Sequence, residues 1–151
     1  MSLFPGWIMK KVIIPHSERF KIKNLWSQMR PEAPSSLPEV EAVPGATARD
    51  MAFLMQLGDV LECHMGQEDF DVRALSQAMG MSRMHLHRKM KALLGQSPGQ
   101  YLRRQRLLRA QYLLRHTEYS VGEVAYLSGF KEHANFTRAY KQEFGRLPRE
   151  R

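Results

Sequence analysis

The C-terminal half of this chain matches itself. Val72, Leu75, Gly80 and Met81 recur 49 positions later as Val121, Val124, Gly129 and Phe130. After a one-residue insertion the offset becomes 50. Leu86, Arg88, Met90, Lys91, Leu94, Gly95 and Pro98 then recur as Phe136, Arg138, Tyr140, Lys141, Phe144, Gly145 and Pro148. Apolar meets apolar, basic meets basic, and the glycines and prolines coincide. Two copies of one supersecondary unit account for that order, and any fold for the chain must use the unit twice.

Each copy spells two helices around a sharp turn. In the first, Asp71 is placed to cap a short helix carrying Val72, Leu75 and Met79, Gly80 ends it, and Ser82 caps the next. In the second, Ser120 and Glu123 have capping-box spacing, Val124, Ala125 and Leu127 are the apolar positions, and Gly129 is the stop. Ser76 and Ala125, each four residues before the glycine, are small enough to let two helices cross closely. A short helix, a glycine turn and a longer helix make a helix-turn-helix. The expected units span about 71–94 and 120–145.

The longer helix of each unit has two faces. Leu86, Met90, Leu93 and Leu94 share one face of the first, and Met84, His87, Arg88 and Lys91 share the opposite one. In the second, Phe136, Tyr140 and Phe144 oppose Ala134, Thr137, Arg138 and Lys141. A major groove admits an α-helix, and arginine binds guanine there through two hydrogen bonds. A solvated helix face also carries Arg and Lys, so the repeated unit around the pair gives it meaning.

Between the units, Ser97 and Gln100 have capping-box spacing with Pro98 at the first helical position. The helix that follows, about 98–116, has an apolar side of Tyr101, Leu102, Leu108, Tyr112 and Leu113, with Arg103, Arg104, Arg106 and Arg109 crowding its other sides. It reads as a strut. If it separates the two longer helices by about 34 Å, they reach successive turns of major groove on one DNA face. One monomer would then read a bipartite, non-palindromic site.

Charge follows the same division. Residues 66–151 hold 16 Lys+Arg against 8 Asp+Glu, whereas residues 1–65 hold 7 of each, so the net +8 belongs to the repeated part. That asymmetry favours a polyanionic partner, double-stranded DNA above all. Residues 31–46 carry four of the eight prolines and read as an extended linker. Before it, Ile22, Leu25, Trp26 and Met29 suit one amphipathic helix within an extension, 1–30, that is too short to be a domain. After it, Thr47 caps a helix to about Met65, with Met51, Leu54, Met55, Val60 and Leu61 as its apolar side. That stripe reads as core rather than as a partner groove. The third division is therefore 47–151.

With these residues in view, the stretch from about 68 to 150 resembles the DNA-binding domain of the AraC/XylS family of bacterial transcription regulators. GFKEHANFTRAYKQEFGRLP (129–148) is close to that family's C-terminal signature, and MGMSRMHLHRKMKALLGQSP (79–98) resembles members fused to two-component signalling proteins. The resemblance implies an all-α fold of about seven helices, two homeodomain-like subdomains on a linker helix, with recognition helices third and sixth. It implies base-facing positions at Met84, His87 and Arg88, and at His133, Ala134, Thr137 and Arg138. Ser82, Arg83, Lys91, Arg103, Arg104 and Lys141 are expected on phosphates. Ala134 offers only a methyl contact to thymine, so the second unit is expected to position more than it specifies. PHSERFKIKNLWSQM (15–29) resembles the last helix of a receiver domain, which suggests a relative or fragment of a larger signalling protein. RNA polymerase is a further expected partner, and a monomer on DNA is expected rather than an obligate dimer.

Other functions fit less well. His85 and His87 diverge by about 200° on a helix and cannot chelate one metal. No HExxH, GxSxG or P-loop pattern occurs, so neither an enzyme nor a cofactor is expected. Cys63, the one cysteine, excludes an internal disulfide and reads as a small buried side chain. No apolar run approaches the roughly 20 residues of a membrane span. Lys10 and Lys11 follow the apolar N-terminus where a signal peptide would place charge before it, so a cytoplasmic location is expected. A basic protein that coats DNA, or binds anionic membrane, without reading sequence is the alternative. It leaves two helix pairs without a reason to be repeated.

Overall fold

The computed structural model describes residues 45–149. The amphipathic segment around Trp26, the extension 1–30 and residues 31–44 of the linker lie outside them. The described residues form six helices and no strand: α1 (Ala48–His64), α2 (Val72–Ala78), α3 (Arg83–Leu94), α4 (Pro98–His116), α5 (Val121–Leu127) and α6 (His133–Phe144). The seventh helix implied by the resemblance has no counterpart among them. Gly145, at φ 71°, closes α6, and no further helix is formed up to residue 149.

The repeat is legible in the backbone. The helices α2 and α5 are seven residues each, 49 apart; α3 and α6 are twelve each, 50 apart. Caps set most of these boundaries. The Thr47 and Asp50 side chains close a capping box on α1, as do Ser97 with Gln100 on α4 and Ser120 with Glu123 on α5. Asp71 accepts from the Ala74 amide and Ser82 from the His85 amide, satisfying first-turn donors of α2 and α3. The inserted residue falls before α6. There Glu132 occupies the N-cap without a side-chain cap bond.

Two apolar cores form, one per unit. The first runs from Phe53 and Leu57 through Leu75, Leu86 and Met90 to Tyr101 and Leu102; the second joins Leu107, Ala110 and Leu113 to Val124, Phe136 and Tyr140. Each fully buried large side chain contributes roughly 1.5–3 kcal/mol. The strut helix α4 thus gives its first half to one core and its second half to the other. Ser76 and Ala125 are buried where the short helices cross their partners.

Three local expectations need correction. The inner face of α1 is Phe53, Leu54, Leu57 and Leu61, whereas Met55 is 65% exposed. The methionine-weighted pattern was compatible with two helical phases, and the bulkier Phe53 fixes the other one. Cys63 is exposed, on the solvent side of the last turn of α1. On α4, Leu107 and Arg109 are buried and Leu108 only half-buried, because the helix must face two cores in succession.

Candidate nucleic-acid interface

The inner face of α3 is fixed by Leu86 and Met90, both fully buried, which turns Met84, His87, Arg88 and Lys91 outward into solvent. Met84 is 72% exposed, a large apolar side chain on an otherwise polar face. The N-terminal end of α3 is held by the Ser82 hydroxyl, with exposed Arg83 beside it. Lys91 folds back to donate to the Gly95 carbonyl at 3.3 Å, at the negative end of the helix. Lys89 does not belong to this face. It meets Asp50 at 3.5 Å and lies 5.0 Å over the Phe53 ring, tying α3 to α1.

Helix α6 repeats the arrangement. Phe136, Ala139 and Tyr140 face inward, with Phe136 in aromatic contact with Phe130 and Tyr140. His133, Ala134, Arg138 and Lys141 are exposed. Thr137 is half-buried, and its Oγ1 is shielded from solvent without a hydrogen-bond partner among the described residues. Glu132, whose carboxylate accepts no cap hydrogen bond, accepts from Asn135 at 3.0 Å and adds a negative charge beside this face.

The strut arginines divide into two classes that spacing did not separate. Arg103 donates to Gln142 at 3.2 Å and Arg104 pairs with Glu143 at 3.2 Å, so both are exposed and both lean on the end of α6. An open groove of about 480 Å³ between α4 and α6 is lined by Arg103, Arg106 and Arg138 with Leu102, Phe130 and Ala139. It carries the basic surface of α6 onto α4. Arg106, at the edge of that groove, commits its donors to backbone carbonyls, and Arg109 turns into the protein. Burial pushes the Arg109 guanidinium down to about 10, with the Glu62 carboxylate pulling the other way, so it stays charged at neutral pH. Among the described residues no cluster of His, Cys, Asp or Glu could hold a metal, and no helix is long and apolar enough to cross a membrane.

Comparison with known proteins agrees with this geometry. The family model described as a helix-turn-helix domain matches residues 75–151. The HTH-type transcriptional activator RhaS of Salmonella arizonae is 40% identical over 106 residues, covering 70% of this chain and 37% of RhaS. The chain therefore spans a little over a third of the length of that relative. An AraC-type transcriptional regulator from Chromobacterium violaceum superposes with a TM-score of 0.61 at 29% identity, covering 69% of this chain and 92% of that one. The DNA-binding domain of AdpA, a global transcriptional factor solved in complex with a target DNA, superposes at 0.59 with 34% identity, covering 64% and 85%. The chain belongs to the AraC-type helix-turn-helix family, a family of DNA-binding transcription regulators rather than enzymes.

Proposed function

We propose that the chain regulates transcription by binding double-stranded DNA sequence-specifically, with α3 and α6 entering adjacent segments of major groove. One observation carries the reading. Two twelve-residue helices on equivalent units expose the same Arg-then-Lys register, Arg88 with Lys91 and Arg138 with Lys141, on a single chain. Arg88 and Arg138 are suited to guanine, His87 and His133 to hydrogen-bonding base edges, and Met84, Ala134 and the Thr137 methyl to thymine methyl groups. Ser82, Arg83, Lys91, Lys141 and Arg103 take phosphates alongside. Arg104 joins them by exchanging Glu143 for a phosphate, since an exposed pair of this kind holds only about 0–1 kcal/mol.

Because both helices belong to one chain, a monomer suffices for an asymmetric site, and residues 47–151 form the DNA-binding part. RhaS as an activator and AdpA bound to its target support the same assignment, with RNA polymerase as the further partner of a regulator acting this way. The use of Arg106 on backbone carbonyls and the burial of Arg109 argue against a coating protein, because two of the strut's five arginines are engaged in the fold rather than offered to a polyanion. Methylation interference tests the reading. Modified guanines that block binding should fall in two clusters about 10 base pairs apart on one face of the duplex; interference spread evenly along the duplex would contradict it.

A further inference from the structure

The loop joining α1 to α2 lies against the turn joining α5 to α6, and α4 passes alongside both. Gly66 and Gly129 are the points of approach. A Cβ on Gly66 would stand 3.0 Å from the Leu127 carbonyl oxygen and 3.1 Å from Arg109 Nη2. On Gly129 it would stand 2.6 Å from Arg106 Nε and closer still to the Met65 carbonyl oxygen. Gly129 also adopts φ 85°, but Gly66 has no positive φ, so its close approach to the Leu127 backbone and the Arg109 guanidinium explains it.

Two arginines fill the contact. Arg106 donates from Nε to the Met65 carbonyl at 2.8 Å, and from Nη2 to the Gln67 and Phe70 carbonyls at 2.9 and 2.6 Å. Arg109, three residues further along α4, is 7% exposed beside Gly66. These contacts are polar and fall on backbone carbonyls, while the side chains of Met65 and Phe70 belong to the first core and that of Leu127 to the second, so the contact bridges the two. A lone helix can curve, so a strut by itself leaves the units free to hinge. A second attachment away from the helix axis, made by a planar guanidinium with fixed donor directions, resists that motion.

We infer that Gly66, Gly129, Arg106 and Arg109 form a joint that fixes α3 relative to α6 and thereby sets the spacing of the two DNA elements the chain accepts. They are positioning residues, remote from the bases. The inference deepens the reading of α3 and α6 as recognition helices and rests on it for its DNA consequence only. One base pair added between the elements moves the second by roughly 3.4 Å along the axis and rotates it, which a stiff joint penalises.

The test uses the full chain with Cys63→Ser, spin-labelled at Ala92→Cys and Ala134→Cys, two exposed positions outside the joint. Pulsed dipolar spectroscopy should give one narrow distance distribution in this parent, and a broader or displaced one in Arg106→Met and in Gly66→Ala, at unchanged helical content. Gly66→Ala adds one methyl group and no backbone strain, so it keeps the test meaningful if Arg106→Met folds poorly. Unlabelled, Gly66→Ala, outside the groove that Arg106 lines, should bind each single element as the wild type does. Both variants should lose the wild type's discrimination, on the order of tenfold, or about 1.4 kcal/mol, between the preferred spacer and one a base pair longer. Unchanged distance distributions in the variants would overturn the joint. Changed distances with unchanged spacer discrimination would overturn its role in recognition. A wild type indifferent to spacer length would sink bipartite reading and that role together, while the distances still decide the joint.

Discussion

Arg88 projects from α3 into solvent, whereas Arg109, on α4, is almost wholly buried against the turn of the other unit. Sequence spacing treats them alike, because each follows apolar residues at helical intervals. What distinguishes them is the approach of segments about 40 residues apart, which no local pattern encodes. The outward faces of α3 and α6 were legible for the opposite reason: Leu86, Met90, Phe136 and Tyr140 fix the phase of each helix by themselves. Arg88→Ala is expected to cost roughly 1–3 kcal/mol at one base position and to relax preference there, measured as affinity for operators varied at each position. Equal weakening on all sequences would make Arg88 a phosphate contact. Thr137 was expected at the base-facing surface, but its hydroxyl oxygen is turned inward and unpartnered. Thr137→Val should therefore leave DNA affinity unchanged and leave stability equal or higher by about 1 kcal/mol. A large loss of affinity would mean that the hydroxyl rotates out to meet the DNA.

Capping made the elements readable. Thr47, Asp71, Ser82, Ser97 and Ser120 all cap the helices their positions announced, since a small polar residue followed three places on by an amide donor is a local arrangement. The phase of α1 was less readable, because Met51, Met55 and Phe53 offer two stripes and only tertiary packing selects one. The missing cap of α6 gives a direct prediction. Glu132→Ser should supply the bond that Ser82 supplies to α3 and raise stability by about 0.5–1 kcal/mol in denaturant titration; a loss would show that the Asn135 contact matters more than the cap. Acid unfolding follows from the other caps. Hydrogen bonds from Thr47 to Asp50, and from the Ala74 amide to Asp71, hold both carboxyls below their ordinary value of 3.8. The unfolded chain then takes up these protons first, so the caps stabilise fully above about pH 4 and fail as pH falls through the lower folded values. The melting temperature should drop across that range, and less steeply in Asp71→Asn. An identical pH dependence in that variant would contradict the assignment.

At the scale of the molecule, the repeat, the charge asymmetry and the strut are properties of the chain order, and they were visible without coordinates. How the units lean on one another was not, because it depends on Gly66, Gly129 and the inward-turned arginines. The basic surface of α6 continues onto α4 through the groove of Arg103 and Arg138, and both units are held on cores that share α4. On the proposed reading, one chain reads two DNA elements. Selection from random duplexes by the purified protein, at about 150 mM salt with competitor DNA where non-specific binding is weak, tests it most directly. Enrichment of an asymmetric motif of two short elements about one helical turn apart is the expected result. Tight binding at low salt with no enriched motif at the higher salt would contradict it.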